Sequence, residues 1–549
     1  STLQRPDLKP LIVTSLFTQQ KYQLIYNVHW LVYPVITAVS FVSYIYAAPI
    51  YNTLLLISGY LKTSFSHVIV SFKNLPSKEK LVLVILCCTY CGVVLYNDHL
   101  KQITYDEAWG YNYYINKPFY FPVILFNTYP LFNVVCHLFI LLPFDTLLDL
   151  RLPPLLFGLF TLLTLFYILY KSTGFVLSAF ALVLLAASPL VYIYSSLSRG
   201  ITLSLFLAVV VLHIVIHATT YKDFNRRYRF LYIVANVLGI ISMPTFLLYT
   251  VGNTLFLMVS NKNNTVVLRS IITSVVIVFV VALTFYLPVI LNTGLSLIYH
   301  NNHYSFNIVD TIDKVSSFVF GLSALFFVSK YIALPLLFIA LILIFKRRLP
   351  AFEKTTVKLS MFIILFSILM RAATGNIFPE RSLNYLILSF ILICIALLSF
   401  LFNYYSKGVK LAILLPLLLV GGCAFVYNQK QLLLAVEDEE AKTIATLFLG
   451  NEVKTVYIDN EEFWLRVPMV EYYYSKEHKQ IIFGTSEKNS TRYRPFSFDN
   501  NDDCIVTGNS SSYDRVSGYK IIYTNKSFII WTRRLKTGRM RNAKFDAAS

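Results

Sequence analysis

Charge is what this chain has least of: 14% of its 549 residues are Asp, Glu, Lys or Arg, against 56% hydrophobic and 16% aromatic. So little charge excludes a string of soluble domains. Acids are the scarcer sign, 28 against 47 Lys and Arg, and the resulting formal charge of +19 would point to nucleic acid if the basic residues shared one surface. They fall instead in short connections between apolar runs, the distribution that marks the cytoplasmic side of a membrane protein, and no nucleic acid is expected as a partner. Paired cysteines are missing too. The seven cysteines are an odd number, and Cys87, Cys88 and Cys91 lie inside an apolar run. A lone Cys-x-x-Cys there, with no second pair, reads as small apolar side chains rather than a zinc or redox centre. Residues 1–29 do not show a charged start, a short apolar core and a small-residue site in succession, so no cleavable leader is expected.

What is abundant is hydrocarbon. The mean hydropathy is +0.62, and apolar runs of about 17–24 residues recur along most of the chain, the helix length that crosses ~30 Å of lipid. These predict an all-α polytopic membrane domain of about 12–13 transmembrane helices. Residues 1–80 read as an N-terminal addition, with a span over Trp30–Ala48 and an interfacial helix or weak span over Leu54–Phe72. Lys73, Lys78 and Lys80 mark a cytoplasmic edge, so Leu81–Tyr96 crosses outward into a long outer loop, 97–153, whose aromatic and apolar spacing predicts helices lying along the membrane surface. Leu155–Tyr170 and Phe175–Tyr192 turn at Lys171-Ser172-Thr173-Gly174. Ile201–His217 leads back to a basic connection, and Phe230–Ser260 breaks at Met243-Pro244-Thr245. Leu268–Leu291, Tyr331–Phe345, Val357–Met370, Tyr385–Phe402 and Leu411–Tyr427 complete a domain spanning 81–427. Residues 428–549 have the composition of a soluble domain. A helix over Glu437–Phe448, strands over Thr455–Ile458 and Gln480–Phe483 with a helix between, and strands at Ile505–Val506, Tyr519–Tyr523 and Phe528–Thr532 predict a small α/β domain, extracytoplasmic by span parity. It carries no glycine-rich phosphate loop, metal-ligand spacing or nucleophile motif.

The polar groups of interest lie on the outer face. Asp106 and Glu107 are followed by Trp109, Tyr111, Tyr113 and Tyr114, an amphipathic ledge at the level where aromatic rings settle between hydrocarbon and headgroups. Such acids either end a helix in solvent or face a lipid head. The same face holds Lys117, Arg151, Arg199, His303, Arg371, Glu380 and Arg381, and charge at membrane depth tends to line a functional cavity. Arg199 and Arg381 each adjoin the start of a span, as snorkelling anchors or as forks for a phosphate, where a guanidinium makes charge-assisted, often bidentate bonds.

The order of these elements resembles a known group. Asp106-Glu107 follow the first core span. Then come Asn127-Thr128-Tyr129-Pro130-Leu131-Phe132, Leu150-Arg151-Leu152-Pro153, Ser188-Pro189, Ser198-Arg199-Gly200 and, late in the chain, Pro379-Glu380-Arg381. Together, over about Lys80 to Tyr427, they resemble the protein O-mannosyltransferase and aminoarabinose-transferase-like families of the glycosyltransferase C superfamily, in which a trailing extracytoplasmic α/β domain also occurs. The resemblance implies an integral-membrane glycosyltransferase using a polyprenyl-phosphate-linked sugar, with Asp106 as catalytic base and Glu107 as the second acid. It implies Arg199, Arg381 and Lys117 as ligands of the donor phosphate, and a cavity for the acceptor near Trp109, Tyr111, Tyr129, His303 and Glu380. Tyr129-Pro130-Leu131 stands where a His-Pro-Pro-Leu-like element is usual, which bears on the acceptor.

A polyprenyl-phosphate sugar brings its own leaving group, so the chemistry needs a base for the acceptor and positive charge for the departing phosphate, and one displacement with inversion is expected. No cofactor is assigned from the sequence. A divalent metal stays open because acids and His303 share a face, although no metal ligand set is spaced for one. The expected partners are the lipid-linked donor, a protein, lipid or envelope-glycan acceptor, and membrane lipids. The expected location is a bacterial inner membrane, with the chemistry on the extracytoplasmic side. A polysaccharide polymerase or ligase would differ only in acceptor. A transporter or flippase would instead be marked by internal repeats and charged span centres, neither of which is evident.

Overall fold

The computed structural model of the chain describes residues 72–118, 129–293, 349–374, 383–404, 436–459, 466–485, 494–495, 503–508, 519–524 and 528–532, with positions 122, 342 and 463. The N-terminal span over Trp30–Ala48, the segment Leu54–Phe72 apart from its last residue, the spans expected at Tyr331–Phe345 and Leu411–Tyr427, and His303, Glu380 and Arg381 lie outside these residues. The described chain divides into two units, which are taken separately.

The larger unit is helical. In chain order it contains α1 (Ser77–Leu100), α3 (Pro130–Phe139), α4 (Thr146–Ala187), α5 (Pro189–Ser195), α6 (Ile201–Tyr221), α7 (Arg226–Ser242), α8 (Phe246–Ser260), α9 (Thr265–Thr293), α10 (Ala351–Thr374) and α11 (Leu386–Tyr404); α2 (Tyr105–Gly110) belongs to the other unit. Among the described residues four helices are long and apolar enough to cross a membrane, those of α1, α4, α6 and α9. Their burial differs in a telling way. α6 is apolar on every side and 78% of its most apolar stretch is buried, whereas only 28% is buried in α1 and α9. A helix apolar all round belongs in the middle of a bundle. The outer two leave Leu81, Ile85, Val266, Val280 and Leu283 more than half exposed, a surface that water would reject and hydrocarbon accepts.

Hydrophobic attraction between helices is weak in lipid, and here polar side chains bonded to neighbouring helices supply specificity. Tyr249 of α8 donates to the Ala208 carbonyl of α6 at 2.9 Å, and Tyr286 of α9 donates to Ile240 of α7 at 2.9 Å. Asn384, just before α11, donates to the Ile201 carbonyl and the Ser204 hydroxyl of α6 at 2.8 and 2.7 Å. Two expected breaks are present. Gly174, at φ 77° and ψ 177°, interrupts α4 with a left-handed backbone that residues with a Cβ avoid, and Met243–Thr245 separates α7 from α8. One boundary differs from the expectation. Helix begins at Thr146, capped by the Asp145 carboxylate accepting from the Leu147 N–H at 3.2 Å, and Pro153 and Pro154 sit inside α4 rather than ending a loop. Neighbouring helices tolerate prolines in membrane segments that would end a soluble helix.

The smaller unit combines residues 102–113 with the C-terminal domain. That domain has α12 (Val436–Gly450), α13 (Val467–Lys476) and six strands: β1 (Thr455–Asp459), β2 (Ile482–Thr485), β3 (Arg494–Pro495), β4 (Cys504–Gly508), β5 (Lys520–Thr524) and β6 (Phe528–Thr532), ordered β3-β2-β1-β4-β6-β5. β1 runs parallel to β2 and β4, with α13 as the β1–β2 crossover, while β6 and β5 add antiparallel at the other edge. β6 alternates buried and half-buried residues. Its inward Phe528 and Ile530 join Val456, Ile458, Phe463 and Phe448 in the core. Burial of Cys504 in that core pushes its thiol up to about 12.

Candidate active site

Glu107 and Asp106, adjacent in sequence, have opposite surroundings. α2 is only six residues long, too short to persist alone in water. Its start is tied by the Glu107 carboxylate, which reaches back to accept from the Thr104 N–H at 2.9 Å and is 1% exposed. This is half of a capping box. Asp106, by contrast, is exposed. One acid holds the helix while its neighbour faces outward, so only Asp106 of the pair can present a carboxylate to an incoming group.

After Gly110 the chain widens into a π-helical turn, Tyr111–Ile115, a backbone form that recurs at functional positions. Trp109 lies against Tyr105 (ring centroids 6.1 Å) and Tyr113 (4.3 Å), so the expected aromatic ledge is a stack on the acid-bearing turn. Tyr111 meets Tyr472 of α13 edge-on at 5.3 Å, and burial raises its phenol. Lys117 is half-buried.

In the helical unit the other motif residues converge. Cys136 on α3 approaches the Leu150 carbonyl at 3.9 Å and the Ser198 hydroxyl at 3.7 Å. Gly200 sits where an added Cβ would lie 2.9 Å from Tyr129 and 3.0 Å from Phe132. The segments around Tyr129, Leu150 and Ser198 therefore form one packed cluster at the start of α6. Arg199 is half-buried with its guanidinium 5.7 Å from the Tyr194 ring centroid. Asn384 is bonded to the first turn of α6, two residues beyond Arg199. Tyr129 packs on Gly200 as the residue before α3.

Arg151 is a buried cation at the end of α1. It is fully buried and donates to the carbonyls of Asp98 and Lys101, both at 3.0 Å, so it secures the C-terminal end of α1. A cation there stabilises the helix end. Between α1 and α4 an apolar cavity of about 220 Å³ is lined by residues including Leu86, Tyr90, Leu162, Leu182 and Tyr192, with the Tyr90 hydroxyl donating to Ser195 at 2.5 Å. Among the described residues no three His, Cys, Asp or Glu side chains converge.

The contacts of this turn that sequence reasoning missed are on α13. Asn112 donates to the Pro468 carbonyl at 2.8 Å, Tyr113 donates to the Glu471 carboxylate at 3.0 Å, and Tyr473 donates to the Gln102 amide oxygen at 3.2 Å. Their one sequence signal is a run of aromatics, Tyr472-Tyr473-Tyr474, that matches the tyrosines of 111–114.

No family pattern and no curated protein sequence matches the chain. Among solved structures it is similar to that of ArnT from Cupriavidus metallidurans in the apo state, at 12% identity and a TM-score of 0.54, over 82% of this chain and 97% of ArnT. At that identity the likeness is one of architecture. The chain is a membrane protein with the fold of ArnT: an all-α membrane domain followed by a small α/β domain.

Proposed function

We propose that the chain is an inverting glycosyltransferase that moves a sugar from a polyprenyl-phosphate donor to an acceptor on the extracytoplasmic side of a bacterial inner membrane. The observation that carries this is an exposed Asp106 on a short capped helix in a chain with the ArnT-like fold. Asp106 takes the proton from an acceptor hydroxyl or amine as that atom bonds to the anomeric carbon. The bond from that carbon to the phosphate oxygen breaks with its electron pair, and polyprenyl phosphate departs as an anion. Arg199, Arg381 and Lys117 hold that phosphate. The apolar cavity below Tyr90 and Tyr192 suits the first isoprene units of the donor. Deletion of the gene in its native host, followed by analysis of lipid-linked sugars and envelope glycans, tests the reading: one sugar should vanish from a protein, lipid or glycan while its lipid-linked donor accumulates. An unchanged profile of both would remove the assignment.

A further inference from the structure

The acid-bearing turn is held by a helix that lies more than 350 residues further along the chain. The three bonds described above bracket Asp106: Gln102 precedes it and meets Tyr473, whereas Asn112 and Tyr113 follow it and meet Pro468 and Glu471. The Trp109 ring stacks on Tyr113, so the phenol that reaches Glu471 also supports the indole one turn beyond the acid. A six-residue helix joined to a π-turn has little persistence of its own. Its orientation must come from what it is docked on. On one side that is the Glu107–Thr104 bond, and on the other it is α13.

We propose that α13 of the C-terminal domain is a positioning element of the active site, and that Glu471, through Tyr113, sets the orientation of the Asp106 carboxylate. The inference rests on Asp106 being the base. Glu471 acts through another side chain, so its loss leaves the base, the donor phosphate ligands and the apolar cavity intact while loosening the geometry of proton removal. Misplacement of a catalytic group by about 1 Å costs on the order of 10²-fold in rate, and loss of one of three docking bonds should cost less. The effect belongs in the maximal rate rather than in the donor concentration needed for half of it.

The test uses the full-length protein in detergent, with the lipid extract of the deletion host as donor source and membranes of that host as acceptor. Rate is measured against increasing extract. Tyr113→Phe, which keeps the ring stack with Trp109, and Glu471→Ala should each lower the maximal rate roughly tenfold with an unchanged half-saturating amount of extract. The double variant should be no worse than the poorer single one, because both remove the same bond. Glu471→Gln, whose amide oxygen still accepts from the phenol, should stay within about threefold of wild type. A wild-type maximal rate for Tyr113→Phe overturns the proposal even if Glu471→Ala yields no folded protein. Additive losses in the double variant overturn it as well. Asp106→Asn separates the two readings: if it is inactive while Tyr113→Phe is normal, only the positioning role fails, whereas full activity of Asp106→Asn removes the base and the proposal together.

Discussion

The front and rear halves of the stretch between α1 and α4 are held by different chemistry. Residues 102–113 are bound by side-chain hydrogen bonds and ring contacts to a helix of a mixed-sheet domain. The rear half, from Tyr129 onward, is bound by close packing against a glycine, a thiol lodged between a carbonyl and a serine, and His137 bonded to the Ile115 carbonyl at 2.7 Å. Polar bonds of the first kind fix direction while leaving a side chain such as Asp106 in the open. Packing of the second kind makes a wall and tolerates no added atom. The front half should therefore be sensitive in rate and the rear half in stability.

The largest expected effect is on the front. Asp106→Asn is nearly isosteric, cannot accept a proton at neutral pH, and removes a positioned base worth roughly 10²–10⁴ in rate. Transfer should be lost with the melting temperature almost unchanged, and a large fall in melting temperature would place Asp106 with the packing residues instead. Next come Arg199→Ala and Arg381→Ala, each expected to weaken donor use by roughly 10–150-fold, the equivalent of one charge-assisted bond to a buried anion. Arg→Lys should recover only part of this, since the planar fork is gone. The double mutant should lose less than the sum if both hold one phosphate, and strictly additive losses at unchanged donor affinity would leave snorkelling as their role. The smallest effect on catalysis is at the rear. Gly200→Ala pushes a methyl into Tyr129 and Phe132 and should cost about 1–3 kcal/mol of stability. Thermal unfolding reads it directly, and an unchanged melting temperature would mean that the rear wall yields.

Much of the helical unit was legible because membrane helices announce themselves locally. The continuous apolar run of α6, the breaks at Gly174 and Met243-Pro244-Thr245, and the strand patterns of β1, β4 and β6 all follow from residues within one turn or one pleat. The site was legible only in part. Thr104-x-x-Glu107 has the spacing of a capping box, and the Glu107 carboxylate makes the bond that this pattern implies. The burial of Arg151 was not legible, because a sequence shows the cost of burying a guanidinium but hides the two carbonyls that offset it. The docking of 102–113 on α13 could not be read from periodicity, which reports neighbours along the chain and carries nothing about partners beyond it.

The separation between Asn112 and its partner Pro468, 356 residues, also sets a clock. Ribosomes add about 5–20 residues per second, so the acid-bearing turn waits roughly 20–70 s after its own synthesis before the helix that receives it has been made. During that interval the membrane helices can insert and pack while the turn stays undocked. A nascent chain would thus acquire its packed membrane helices first and the orientation of Asp106 last, and a molecule truncated before α13 would be integrated in the membrane with that turn undocked.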